Sequence, residues 1–251
     1  MLFRQDPVQG QFYGTIGQLD DTGQAHYHGM LLSLQRRLKN NLSVLSNYTL
    51  SRCKSDPATT ELTGPTIVDP SNPDLDYSYC DADRRHVVNV SVVLRTPQFA
   101  NATMRTLLSD WQFAPLVRWQ SGNWTSVTTG VDNAFTGLGG QRAVQVLDDP
   151  YAARTPDNYL NRNAFTSPEP GTYSTLKPNT IANPSQWVND LAISRTFRIA
   201  ENGLQFRWEI FNVANHASFN APVAALNSSN FGRILTAGAP RIMQFALKYD
   251  F

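Results

Sequence analysis

In seven stretches of this chain apolar and polar residues alternate one for one, and that alternation constrains the fold more than any motif. A β-strand projects successive side chains to opposite faces, so each stretch predicts a strand with one apolar and one polar face. Met30, Leu32 and Leu34 stand opposite Gly29, Leu31, Ser33 and Gln35. Across a Lys39-Asn40-Asn41 turn, Leu42, Val44, Tyr48 and Leu50 stand opposite Ser43, Asn47, Thr49 and Ser51, which predicts a hairpin with a tight end. The pattern returns at His86, Val88, Val90, Val92 and Leu94, and again at Trp111, Phe113, Val117 and Trp119. In the last third it runs through Leu191, Ile193, Phe197 and Ile199, then Leu204, Phe206, Trp208 and Ile210, and closes on Met243, Phe245, Leu247, Tyr249 and Phe251. Pro115 has no amide donor, so a bulge or irregularity is expected in its strand. Helical spacing is almost absent.

Alternation is common to soluble sandwiches and membrane barrels, but connection lengths separate the two. In order the connections are short (39–41), long (52–84), short (97–105), long (121–186), short (200–203) and long (215–240). All short ones therefore lie at one end of the sheet and all long ones at the other, the layout of an outer-membrane barrel with tight periplasmic turns and long extracellular loops. Thr125–Thr129 and Gln141–Leu147, inside the longest loop, are expected to pair as short strands. Tyr48, Trp111, Trp119, Tyr249 and Phe251 stand near strand ends on the apolar faces, where interface girdles belong. The polar faces carry Arg85, Arg95, Arg118, Arg207, Glu209 and Lys248, which a wet lumen accepts without costly burial. Arg195 is the exception, on an apolar face; near an interface it costs roughly 0–1 kcal/mol rather than the 2–4 of the midplane, and its stem can snorkel. The fold class is all-β: an antiparallel transmembrane β-barrel, with about seven to nine strands of a larger barrel.

Composition narrows the function. Lys and Arg number 21 against 20 Asp and Glu, a net charge of +1, which leaves no surplus of cations for a nucleic-acid partner. Charged residues are 16% of the chain, below the usual ~25% of soluble domains. No run of about 18 uncharged apolar residues exists, which excludes a transmembrane helix. Met1 to Pro7 lacks the charged start and apolar stretch of a secretory signal, so the expectation is a cytosolic chain or a piece of a longer one. Cys53 and Cys80 flank one polar loop; a disulfide between them requires an oxidising compartment, and free thiols are equally compatible with the spacing.

Several segments resemble the C-terminal barrel of TonB-dependent outer-membrane receptors, in particular the group with an N-terminal carboxypeptidase-regulatory-like domain. They are Tyr27 to Arg37 (YHGMLLSLQRR), Asn47 to Ser51 (NYTLS), Asp83 to Val87 (DRRHV), Asp110 to Phe113 (DWQF), Arg207 to His216 (RWEIFNVANH) and Pro240 to Leu247 (PRIMQFAL). Their order and spacing, ending on Phe251, are the specific part of the signal. The resemblance implies a 22-stranded barrel with an N-terminal plug, importing a scarce ligand with energy relayed by TonB. It also implies that the terminal strand, through Tyr249 and Phe251, is read by the barrel-assembly machinery. The plug, the signal peptide and the TonB-contacting segment have no counterpart in residues 1–251, which are expected to be the C-terminal part of such a receptor, in the cell outer membrane and against its lipid.

Other constellations favour bland roles. His26 and His28 are two apart beside a strand start, with His86 and His216 distant, so a surface or interface role outweighs a metal pair. Asp69, Asp74, Asp76, Asp81 and Asp83 offer hard oxygens for Ca²⁺ but lack EF-hand spacing, which favours a solvated loop. Asn-x-Ser/Thr triplets such as Asn89-Val90-Ser91 and Asn123-Trp124-Thr125 are chance matches in a chain rich in those residues. No nucleophile elbow, Walker A or CxxC pattern occurs and nothing gathers a triad, so no enzymatic activity and no cofactor is expected. Trp124, Phe135, Tyr151, Tyr159, Phe165 and Tyr173 either capture a ligand above the barrel mouth or pack the loops together; the ligand and its contacts stay open. Two other function classes fit the pattern: a small autonomous pore or adhesin, with an eighth strand from Phe12 to Leu19 or from 121–186, and a secreted β-sandwich that binds carbohydrate.

Overall fold

The computed structural model describes residues 23–39, 41–56, 68–69, 72–135, 141–199 and 201–250. Seven long strands form one antiparallel sheet in chain order: β1 (Gln24–Lys39), β2 (Leu42–Asp56), β3 (His86–Arg95), β4 (Trp111–Gln120), β5 (Gln186–Ile199), β6 (Asn202–Phe211) and β7 (Ile242–Asp250). A short strand at Ser78–Tyr79 adds to the far end of β2. The possible strand at Phe12 to Leu19 and the aromatic Phe251 lie outside the described residues.

The registers carry the alternation from strand to strand. Tyr48 pairs with Val88, Val88 with Trp119 and Trp119 with Trp187, one row across four strands. Eight residues further down, Trp111 pairs with Arg195, Arg195 with Phe206 and Phe206 with Leu247. Eight steps span about 27 Å along a strand, and at the usual tilt of about 40° that is somewhat over 20 Å, most of the ~25 Å height of a lipid-facing band. Between the rows the same face carries Val90, Val92, Val117, Phe113, Ile193, Trp208 and Phe245. The other face carries Asn47, Asn89, Arg118, Gln112, Arg207, Glu209 and Gln244, and Glu209 accepts from Arg207 and Gln244 on it. Phe245 is 66% and Leu247 72% exposed, so at these positions none of the described residues covers the apolar face.

Pro115 produces no bulge. The β3–β4 pairs Ser91–Leu116 and Leu94–Phe113 keep one register on both sides of it, and only the ladder between them is interrupted. A missing donor is tolerated there because Pro115 still pairs with Leu191 on its other side.

The end with short connections holds the passage from β1 to β2, the passage from β5 to β6 and residues 96–110. The last is longer than the expected 97–105 because it contains the helix α1 (Ala102–Leu108). Asn101 caps it, its side chain accepting from Thr103 N at 3.0 Å and Met104 N at 3.2 Å. The other end holds the three long connections, 57–85, 121–185 and 212–241.

With lipid against the apolar face, Val92→Arg at mid-height is expected to cost roughly 2–4 kcal/mol, and Ser91→Arg on the polar face little. Urea midpoints of the two variants in detergent or bilayer compare them directly.

Candidate functional site

The long connections fold together. Val127, Ala143, Tyr159, Leu160, Ala164, Phe165, Ile181, Leu226, Phe231 and Ile234 form the hydrophobic core found among the described residues, and all come from segments 121–185 and 212–241. Above the membrane the solvent is water, so here apolar side chains turn inward, at roughly 1.5–3 kcal/mol per large side chain fully buried. The two segments interlock through backbone: Thr128 N donates to Ala224 O at 2.9 Å, Leu226 N to Thr128 O at 2.8 Å, and Tyr159 N to Gly232 O at 2.8 Å. Gly232 has φ +80°, and a Cβ there would lie 2.6 Å from Leu160 O, so the close approach requires glycine.

Within the longest loop, Thr129 N donates to Gln141 O and Ala143 N to Val127 O, so the two expected stretches do meet at 127–129 and 141–143. Their remaining residues pair elsewhere: Trp124–Thr125 with Ile181–Ala182, and Val144–Gln145 with Phe165–Thr166.

The first long connection is tied to β2 by sulfur, and to this layer by an ion pair and a hydrogen bond. Cys53 and Cys80 form a disulfide, with Cα atoms 5.5 Å apart and 27 residues of separation, a loop whose closure is worth roughly 3–4 kcal/mol on the chain-entropy account. Buried Asp83 accepts from Cys53 N at 2.5 Å and from Trp124 Nε1 at 2.9 Å, and the Trp124 ring stacks on Tyr79 at 4.2 Å. Arg142 and Asp76 form a buried ion pair; Arg142 also donates to Leu75 O at 3.1 Å, and Asp76 accepts from Val68 N at 2.9 Å. The acidic residues of this connection are thus partly structural, and among the described residues no group of three His, Cys, Asp or Glu is placed to hold a metal. His26 lies edge-on to Tyr77, with ring centroids 6.2 Å apart.

The loop aromatics divide the same way. Tyr151 and Tyr159 meet edge to face at 5.7 Å and share Ala182 O, while Phe165 packs on Phe231 at 6.0 Å. Burial pushes the Tyr159 phenol up to about 12. Phe135, 62% exposed, stands outside the core.

Below this layer, at the mouth of the polar face, lies a cleft of about 180 Å³ lined by Arg118, Val188, Asp190, Phe211, His216 and Pro240 among others. Its charged groups are Arg118, 59% exposed, and Asp190, 3.9 Å apart. The cleft owes its shape to Asn212, which leaves β6 with φ +52°, a conformation asparagine tolerates better than most residues. Its amide Nδ2 donates to His216 O at 2.9 Å and Ala239 O at 3.1 Å, and its backbone N donates to Asp190 Oδ1 at 2.9 Å. An apolar pocket with one oppositely charged pair can hold and orient a small ligand without reacting with it. The sequence signal for it was the Phe211-Asn212-Val213-Ala214-Asn215 run, visible as a motif but silent about the cleft.

The aromatics expected at interfaces occupy the two rows already described. Tyr48 is hydrogen-bonded to His86 Nδ1 at 2.9 Å, His86 lies 6.2 Å from Trp119, and Trp187 packs on His216 at 4.5 Å. Trp111 stands in the opposite row, and Tyr249 accepts from Asn202 Nδ2 at 2.7 Å. Two belts of ring-bearing, hydrogen-bonding side chains enclose an apolar band on an antiparallel sheet, with polar residues behind it. A family model, outer membrane beta barrel domain, matches residues 3–244. The chain belongs to that family. It is therefore an outer-membrane β-barrel protein, with the apolar band against lipid and the long loops outside the cell. No curated protein and no solved structure matches it.

Arg142→Met is expected to weaken the loop layer by roughly 3–5 kcal/mol, because it leaves Asp76 buried and unpaired, while Arg142→Met with Asp76→Leu recovers most of the loss. Protease nicking of the long loops in intact outer membranes reads both. Tyr159 gives a pH dependence. Between the ordinary phenol value of 10.0 and about 12 the folded loop layer keeps a proton that the unfolded one has lost, so its stability holds below that window and falls as pH rises through it. Near-ultraviolet circular dichroism against pH, compared with Tyr159→Phe, should show the alkaline transition only with the phenol present.

Proposed function

We propose that this chain is the C-terminal part of the barrel of a TonB-dependent receptor that binds a scarce ligand outside the cell and imports it. The supporting observation is the open sheet: among the described residues β1 pairs only with β2, and β7 only with β6. In hydrocarbon an unpaired edge costs several kcal/mol for each unsatisfied backbone group, so a spanning sheet must close. The seven long strands among the described residues are also an odd number, whereas bacterial single-chain barrels have an even one. Further strands are needed, and the resemblance of the segments from Tyr27 to Leu247 to the TonB-dependent receptors supports such a receptor as their source.

In this reading the loop layer is the outer gatehouse, and the cleft of Arg118 and Asp190 lies on the ligand's way into the lumen. The plug and the TonB-contacting segment belong to the N-terminal portion of the receptor, and the barrel-assembly machinery reads Tyr249 and Phe251. The chain itself performs no catalysis.

An immunoblot of outer-membrane fractions from the native host, with an antibody against residues 72–83, tests the proposal. The expected band is several times larger than 28.0 kDa. A band at 28.0 kDa in that fraction would instead make the chain a small autonomous pore or adhesin. Signal in the soluble fraction alone would overturn the transport reading.

A further inference from the structure

Arg195 is the cation that breaks the apolar face, and its side chain is only 8% exposed. Its guanidinium donates to Leu107 O at 3.0 Å and to Thr106 O, the last carbonyls of α1. It also lies 4.6 Å from the Phe197 ring centroid and 5.5 Å from that of Trp111. Trp111 Nε1 donates to the same Leu107 carbonyl at 2.8 Å. Helix C-terminal carbonyls lack intrahelical partners and carry partial negative charge, so a cation and an indole there hold the helix against the barrel wall. Both anchors stand on the lipid-facing side, so α1 lies outside the barrel at its periplasmic rim.

Seven residues do not hold a helix in water unaided. Yet Met104, Leu107 and Leu108, at i, i+3 and i+4, share one stripe and are 49%, 60% and 48% exposed. Arg105 is turned away into its own connection, donating to Phe99 O at 3.0 Å and Ala100 O at 2.9 Å. The stripe continues the apolar band downward past Trp111.

We propose that α1 is a membrane-interface anchor: Met104, Leu107 and Leu108 seat among the acyl chains of the periplasmic-leaflet phospholipids, and Arg195 positions the helix to do so. A short helix lying in the interface plane buries its apolar face roughly 5–10 Å into the headgroup and acyl boundary. The anchor fixes the depth of the β3–β5 sector in the bilayer. This inference rests on the membrane-barrel fold and its orientation, not on transport.

The test places single nitroxide labels on the full-length protein in outer membranes, at Met104→Cys, Leu107→Cys and Leu108→Cys. Ala102→Cys, on the opposite side of the helix, is the water control, and Val92→Cys marks the band. Collision rates with oxygen and with a water-soluble nickel chelate are measured. The expected result is several-fold fewer nickel collisions at the three stripe positions than at Ala102, at shallower depth than Val92. Adding Arg195→Met should raise nickel collisions at the Leu107 label while Val92 stays in lipid. Stripe labels that meet nickel as often as Ala102, with Val92 still in lipid, would overturn the anchor alone. A Val92 label in water would instead overturn the membrane orientation itself.

Discussion

Hydrocarbon offers no partner to a peptide group, and the rest of this structure follows from that. Every backbone donor and acceptor in the band must be paired by a neighbouring strand, which permits only a sheet with continuous ladders. The observed ladders connect β1 to β7 in chain order; the β1–β2 register shifts only between Arg36 and Lys39, and the gap at Pro115 leaves the pairing on either side in phase. With the backbone satisfied laterally, the side chains sort by solvent. Apolar groups such as Val92, Ile193 and Phe245 face lipid, whereas Asn89, Arg207 and Glu209 face the lumen.

The same hydrophobic effect has the opposite geometric result a few residues higher. Once the chain passes the row of Tyr48, Trp119 and Trp187, the surroundings are aqueous, and the apolar residues of the long loops collapse into a core of their own. The protein is therefore built in two layers: a wall without an interior, and a small globular body above it. The Cys53–Cys80 disulfide holds the first connection to the end of β2, and the Asp83–Trp124 bond and the Arg142–Asp76 pair join it to that body. The cleft beneath it is the junction between the layers, where Asn212 turns β6 from wall to loop.

The wall was legible in the sequence because a strand in lipid has one strong rule, and Tyr48, Val88, Trp119 and Ile193 each obey it. Trp111 was readable as an interface residue, but not as a helix anchor. The loop body was not legible, because the partners of its core are remote: Val127 shares the core with Leu226, and Phe165 packs on Phe231, with no local periodicity to announce them. The disulfide had the same difficulty, since spacing alone does not set the approach of two Cα atoms. The helix α1 was overlooked although Asn101 and the spacing of Met104, Leu107 and Leu108 were present, because seven residues are too few for a period to stand out. The sequence also flagged Arg195 as an exception without indicating the carbonyls it serves.

The shared core of segments 121–185 and 212–241 has a consequence for how this protein changes over generations. Surface loops of cell-envelope proteins ordinarily vary freely, each on its own. Here Val127, Phe165, Leu226 and Phe231 must suit one another, and Gly232 cannot acquire a side chain without displacing Leu160. Drift is thus confined to outward positions such as Val131 and Phe135, and larger changes in one loop demand matching changes in the other. The exterior of the cell would see this protein diversify in paired steps, not one loop at a time.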